Sequence, residues 1–178
     1  MSYLTRKVSR RMKHGLRDGE LVVNATPAAR LGGMRELAAT ALPNGLGVVG
    51  TIAGSRIGAG GRVNIDPRAA GSRVSLPQRC TVAVTNLRLL IFENSSLTNK
   101  PKTLVYEVPR EQIEWIGEPV ADPGLLTKTE RVVIGVRGPA IVGWEVPRVY
   151  TRQGHALLAE LARQTAPDRQ QDGPIPPA

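Results

Sequence analysis

The 178-residue chain carries 24 basic and 15 acidic residues, for a formal net charge of +9, and 41% of its residues are hydrophobic. This length allows one domain with a buried core, and because aromatic residues make up only 3% of the chain, that core has to consist of Val, Leu, Ile and Ala. The single cysteine, Cys80, excludes an internal disulfide and a metal site built from several cysteines.

Residues 1–17 predict a basic amphipathic helix. Leu4, Val8, Met12 and Leu16 recur at every fourth position, which is helical spacing. Six basic residues occupy much of the remaining surface: Arg6, Lys7, Arg10, Arg11, Lys13 and Arg17. A narrow apolar stripe opposite a cationic face is typical of a helix that lies at a membrane interface. The alternative is a solvated helix that docks its apolar stripe on the domain.

The positive charge is concentrated in the N-terminal part of the chain. Residues 1–79 hold 13 basic and 4 acidic residues, whereas residues 80–178 hold 11 of each. This asymmetry indicates an anionic partner such as a membrane surface or nucleic acid. The sequence shows neither the apolar stretch of an export signal nor a run long enough to cross a bilayer. We therefore expect a cytoplasmic protein that can associate peripherally with the inner membrane face.

The segment after the first helix is rich in turn-forming residues. Glu20–Thr26 predicts a first strand that ends before Pro27, and an insertion follows at about residues 28–79. Within this insertion, Leu31–Leu42 has the spacing of a short helix.

A glycine-rich stretch, residues 45–61, follows that predicted helix. Gly50, Gly54 and Gly58 stand four residues apart and would form a groove on a helix, allowing another backbone to approach closely. The alternatives are a glycine-rich loop and a segment that contacts the membrane.

The C-terminal half predicts a mainly β, β-rich α+β domain. Apolar runs and alternation favour strands over residues 81–85, 89–92, 103–108, 113–116, 130–136 and 140–146. Gln153–Gln164 places Leu157, Leu158 and Leu161 on one helical face. We therefore expect a curled sheet or split barrel of six to seven antiparallel strands, capped by a C-terminal helix. Residues 18–166 form this domain, and residues 167–178 are predicted to be a disordered tail.

One part of this region resembles a known family. The run Val82–Phe92, VAVTNLRLLIF, is similar to the strand–turn–strand signature of bacterial pleckstrin-homology-like and GRAM-type domains, with Thr85, Asn86 and Arg88 in the characteristic positions. The run Val108–Ile113, VPREQI, resembles the short strand and turn that follow in the family. The resemblance implies a binding module, with residues 28–79 inserted where a compact member has a short loop. The residues themselves favour a structural role for all three: Thr85 and Asn86 form the turn through side-chain to backbone bonds, and Arg88 pairs with a backbone carbonyl, Glu93 or Glu107.

No catalytic site, metal site or cofactor site is predicted. His14 and His155 lie far apart in sequence, and neither has the neighbours of a nucleophile and its base or of a metal centre. We therefore expect a protein that is not an enzyme. Nucleic acid is not expected as a partner, because no helix-turn-helix, zinc finger or aromatic-bearing strand motif accompanies the basic residues.

These patterns predict an adaptor module that associates with anionic membrane. The candidate lipid-binding residues are Arg6, Lys7, Arg10, Arg11, Lys13, Arg17, Lys100 and Lys102. Leu4, Val8 and Met12 would add shallow apolar contact with the lipid. The alternative is a protein or peptide interaction scaffold, with homo-oligomerisation as one form of it. The direction of the apolar stripe distinguishes the two, because lipid contact needs it outside and a scaffold needs it folded inward.

Overall fold

In the computed structural model, residues 2–34, 74–122, 129–137 and 140–165 are described. Two helices frame a run of strands: α1 (Tyr3–Arg11) and α2 (Thr151–Thr165). The strands are β1 (Val22–Arg30), β2 (Arg79–Thr85), β3 (Arg88–Asn94), β4 (Pro101–Pro109), β5 (Ile113–Ile116), β6 (Val120–Asp122), β7 (Thr129–Val136) and β8 (Ile141–Pro147). Short 3₁₀ turns, Arg110–Gln112 and Arg148–Tyr150, precede β5 and α2. Neither helix that the structure describes is long and apolar enough to cross a membrane.

All eight strands belong to one antiparallel sheet. The strand order is β4-β3-β2-β1-β8-β7-β5, and β6 pairs with the first three residues of β7, Thr129–Arg131. β1 joins the two halves, because it pairs with β2 over most of its length and with β8 only through Ala29 and Arg30. The sheet is not closed into a barrel. The predicted mainly β fold with a C-terminal helix is confirmed, and the described residues alone form eight strands where six to seven were expected.

The larger core lies between the sheet and α2. Alternate residues of β2, β3, β7 and β8 point to this side, and Trp144 is the largest of their fully buried side chains. Leu157, Leu158 and Leu161 of α2 pack against them, as the spacing predicted. Each fully buried Leu contributes about 1.5–3 kcal/mol relative to an exposed one, so α2 is a structural part of the domain.

A second core lies on the opposite face of the β1–β4 half of the sheet. It contains Val22, Ala25, Ala83, Leu90 and Phe92, and α1 covers it. The β1–β4 half therefore carries a buried layer on each face, which explains why β2 is buried at six of its seven positions.

The first strand differs from its prediction. β1 continues through Pro27 to Arg30, so the expected end before Pro27 is wrong. β8 pairs with β1 only from Ala29 onward, and Pro27 therefore lies where β1 has β2 as its one paired neighbour. A residue without an N–H group is tolerated at such a position.

The predicted insertion therefore begins after Arg30 and not at residue 28. Hydrogen bonds and packing attach both of its ends to the domain. Buried Glu145 accepts hydrogen bonds from the amides of Gly32 (2.7 Å) and Met34 (3.2 Å). At the other end, the amide of Val74 donates to the Ile141 carbonyl (3.0 Å), and Leu76 is buried in the larger core. Most of the predicted helix 31–42, the glycine-rich stretch 45–61 and the tail 167–178 lie outside the described residues.

The remaining strand predictions agree with the structure to within two residues at each end, with one omission. β6, Val120–Asp122, is not among the predicted strands. β7 and β8 pair as an antiparallel hairpin, and the Val136 amide donates to the Ala140 carbonyl (3.0 Å).

Candidate functional site

The cationic face of α1 is the candidate site, and the docking of the helix determines which way this face points. The Ser2 hydroxyl caps the helix by accepting a hydrogen bond from the Thr5 amide (3.1 Å). The helix ends at Arg11, earlier than predicted, and a turn closed by the Leu16 amide and the Met12 carbonyl (2.9 Å) follows it.

The apolar stripe of α1 faces the sheet. Val8 and Met12 are buried in the second core, and Leu4 and Leu16 pack at its edges. Val8 and Met12 are therefore not available for the lipid contact expected of them, whereas Leu4 is only partly buried. The alternative of a helix docked on its own domain describes the arrangement.

Because the stripe faces inward, the basic residues face outward. Arg6, Arg10, Arg11, Lys13 and Arg17 are exposed, Lys7 is half-buried, and residues 2–17 include no acidic side chain. We call these six residues the cationic face. Their charges point in directions that the packing of Val8 and Met12 fixes.

The N-terminal end of this face adjoins the β3–β4 hairpin. The Lys7 Nζ lies 4.2 Å from the centre of the Tyr3 ring, which is 66% exposed. A hydrogen bond with Lys7 and the positive charges of Lys7, Lys100 and Arg10 lower the pKa of Tyr3. The structure thus brings Lys100 into the electrostatic neighbourhood of α1, although 93 residues separate it from Lys7. Lys102, the second residue of β4, is exposed.

A buried ion pair holds the other end of α1. The Arg88 Nε and Nη2 donate to the two carboxylate oxygens of Glu20, each at 2.8 Å. Nη2 also donates to the Gly15 carbonyl (2.7 Å), and Nη1 pairs with Glu107. The side chains of Arg88 and Glu20 are 6% and 0% exposed. Arg88 therefore joins the segment after α1 to the sheet.

The surroundings of Glu20 keep it ionised. Burial on its own would raise its pKa, but hydrogen bonds from Arg88, the Arg17 amide and Thr85, together with the charge of Arg88, lower it to about 2. The fixed donors outweigh the cost of removing the carboxylate from water.

The other two signature residues complete the same joint. The Thr85 hydroxyl accepts from the amides of Leu87 (3.1 Å) and Arg88 (2.9 Å), closing the β2–β3 turn. The Asn86 side chain reaches the segment before β1, where it accepts from the Leu21 amide (2.8 Å) and donates to the Gly19 carbonyl (3.0 Å). All three signature residues are thus bonded within the domain.

Two charged residues that sequence reasoning missed are central to these contacts. Glu20 was placed in a strand without a partner, because nothing local indicates a pair with a residue 68 positions away. Arg110 was included only in a turn, yet it is buried and donates to the Thr85 carbonyl (2.9 Å) and the Leu161 carbonyl (3.0 Å). Burial lowers the pKa of Arg110 to about 10. The sequence did offer one signal for Arg110: a charged residue directly after an apolar strand is rarely buried unless it has a partner.

The chemically reactive residue types have ordinary surroundings. His155 pairs with Glu130 on the surface (2.7 Å), and His14 is exposed. Burial raises the pKa of Cys80 to about 12 and so keeps it as an unreactive thiol. Within residues 2–34, 74–122, 129–137 and 140–165, no group of three or more metal-ligating side chains comes together. None of these contacts assigns a reaction to the chain.

No protein-family model matches this chain, and neither the curated proteins nor the solved structures include a significant match.

Proposed function

We propose that the chain is a non-enzymatic, pleckstrin-homology-like binding module that associates with anionic membrane through the cationic face of α1. The observation that carries this proposal is the docked orientation of α1, which presents five exposed basic side chains and no acidic one in residues 2–17. The cytoplasmic leaflet carries the negative surface potential that would attract such a face.

The family part of the proposal is supported by the order of the elements. Antiparallel strands follow one another in an open sheet, β1 lies between β2 and the last strand, and a C-terminal helix covers one face. The signature residues Thr85, Asn86 and Arg88 form one hydrogen-bonded joint, as expected of a structural motif.

The physical basis of binding is long-range attraction between charges. Each basic residue near an anionic bilayer contributes about 1 kcal/mol, and the attraction falls off within a Debye length of about 10 Å at moderate salt. Because Val8 and Met12 are committed to the second core, α1 itself adds charge without an apolar anchor. Binding through α1 should therefore be reversible and should weaken as salt concentration rises.

Co-sedimentation of the full chain with vesicles of anionic or neutral lipid, at low and high salt, tests the proposal. The variant R6Q/R10Q removes two exposed charges and should weaken binding to anionic vesicles by about 2 kcal/mol, or roughly 30-fold. R148Q/R152Q removes two exposed arginines, one in the 3₁₀ turn before α2 and one in the first turn of α2, and is the matched control.

Three results would contradict membrane association through α1. They are equal binding to neutral vesicles, equal loss in both double variants, and no binding to anionic vesicles at low salt. A DNA duplex of matched charge concentration belongs in the same assay, since tighter binding to DNA would favour nucleic acid as the anionic partner.

The second candidate is a protein-binding scaffold, and the position of β4 favours it. β4 is the outermost strand on its side, with β3 as its paired neighbour among the described residues. Features that discourage strand addition are also present there: Pro101 and Pro109 at the ends, Lys102, and a register irregularity around Val105. Light scattering showing only monomer at high protein concentration would exclude self-association through this edge.

A further inference from the structure

The β3–β4 hairpin exposes an apolar side chain at its tip. Leu97 is 94% exposed, the highest value among the large hydrophobic residues that the structure describes. A single exposed leucine is common on protein surfaces. Two further features distinguish Leu97: hydrogen bonds fix the shape of the hairpin tip, and the charged residues near it are lysines.

Hydrogen bonds hold the hairpin tip in shape. The Ser95 amide donates to the Lys100 carbonyl and the Asn99 amide to the Ser95 carbonyl, each at 2.9 Å. At the base of the tip, Asn94 accepts from the buried Thr81 hydroxyl (2.8 Å) and its amide contacts the Asn99 side chain (3.2 Å). Asn99 adopts a left-handed backbone with φ of 50°. This network fixes the tip in a form that leaves Leu97 outside the domain.

The surroundings of Leu97 are cationic. Residues 95–102 include Lys100 and Lys102 and no acidic residue. α1 contacts β4, the strand that leaves the hairpin tip, and the charge of Lys100 acts on Tyr3 of α1, so the hairpin and the N-terminal end of the cationic face lie on the same side of the domain. Tyr3 is itself mostly exposed and has Lys7 over its ring.

An exposed apolar side chain on a hairpin whose tip carries two lysines and no acidic residue suits the interface of an anionic bilayer. The hydrocarbon portion of a leucine partitions into the acyl boundary, while lysine ammonium groups remain with the headgroups. A tyrosine ring is favoured at the level of the headgroups.

We infer that Leu97, at the tip of the β3–β4 hairpin, inserts into the interface of an anionic membrane beside Tyr3, with Lys100 and Lys102 contacting the headgroups. This inference rests on the proposed function and adds to it the apolar anchor that the docked stripe of α1 no longer supplies. The occupant is a lipid surface, because the rim of the tip carries charge of one sign.

A fluorescent label at position 97 tests the insertion directly. The full-length L97C variant can be labelled with an environment-sensitive dye at the new thiol alone, because Cys80 is fully buried. On anionic vesicles, the emission should shift to the blue and gain intensity. The same label in V149C is the matched control, since Val149 is 82% exposed but follows β8. Its emission should stay unchanged.

The outcomes separate this inference from the proposed function. If the labelled protein co-sediments with anionic vesicles but the dye at position 97 stays as in water, the insertion is refuted and charge-driven binding stands. If the protein fails to co-sediment, both are refuted. A shift that depends on protein concentration without vesicles would identify a second copy as the occupant and overturn the lipid assignment.

A second variant measures the contribution of the side chain. L97S keeps all charges and should bind anionic vesicles about tenfold more weakly, as expected from losing the partial burial of one leucine. The remaining binding should be more sensitive to salt. Unchanged affinity and unchanged salt dependence would overturn the inference, and an unchanged melting temperature would show that the variant is folded.

Discussion

The buried pair of Glu20 and Arg88 gives a quantitative prediction for stability. The pKa of Glu20 falls from an ordinary value of 4.5 to about 2 in the folded protein. One pKa unit corresponds to about 1.4 kcal/mol, so ionised Glu20 contributes about 3 kcal/mol to the free energy of unfolding. Because the folded state favours the ionised form, this contribution is complete above pH 4.5 and is lost as the pH falls towards 2.

The variant E20Q keeps the shape of the side chain and removes its charge. We expect its free energy of unfolding at neutral pH to be about 3 kcal/mol below that of the unmodified protein. The difference should narrow as the pH falls from about 4.5 towards 2, because the unfolded chain then binds a proton at Glu20 while the folded protein keeps the carboxylate ionised. Urea unfolding followed by tryptophan fluorescence, repeated down to about pH 3, measures both quantities.

The matched control for this experiment is E107Q. Glu107 also pairs with Arg88, but its side chain is 47% exposed. Its replacement should cost less than about 1 kcal/mol, because solvent screens an exposed pair. A cost for E20Q below about 1 kcal/mol, or a difference from the unmodified protein that stays constant down to low pH, would refute the assignment of Glu20 and Arg88 as the joint of α1.

Three further measurements test other parts of the structure. R110M removes a buried guanidinium that donates hydrogen bonds to the carbonyls of Thr85 and Leu161. It should lower the free energy of unfolding by about 3 kcal/mol and speed amide hydrogen exchange near the C-terminal end of α2. Unchanged exchange would contradict this. G135A would place a Cβ 2.0 Å from the Trp115 Nε1, so the indole has to move and its emission should shift to the red, at a cost of about 1–3 kcal/mol; an unaltered spectrum would show that the ring lies elsewhere. Cys80 should react with a thiol reagent only as fast as the domain unfolds, because its pKa is about 12 and it is fully buried; rapid labelling in native buffer would contradict its position.

Local patterns in the sequence predicted the strands and α2, but they did not fix which elements meet. Strict alternation located β2, and the spacing of Leu157 and Leu161 located the buried face of α2. Both signals depend only on neighbours within a few positions along the chain. Pro27 misled the placement of β1, because its tolerance in a strand depends on whether β8 pairs alongside it, which is a property of the sheet.

The candidate site depended still more on contacts between distant parts of the chain. The spacing of Leu4, Val8 and Met12 described an amphipathic helix correctly but could not say what covers its stripe. That answer lies in Leu90 and Phe92, more than 70 residues later. No signal in the sequence indicated Leu97, because only the structure shows that this leucine in a polar loop is held away from the domain.

The two ends of α1 have different consequences for binding. Burial of the stripe removes Val8 and Met12 from contact with lipid, and the same packing turns the cationic face outward. Charge alone orients a protein on a bilayer only loosely, since the attraction is long-ranged and lacks direction. An inserted side chain at one end of the face would define the orientation, and the β3–β4 hairpin that carries Leu97 lies towards that end. The Arg88 joint lies at the opposite end of α1, so it can hold the helix on the sheet without competing for the membrane.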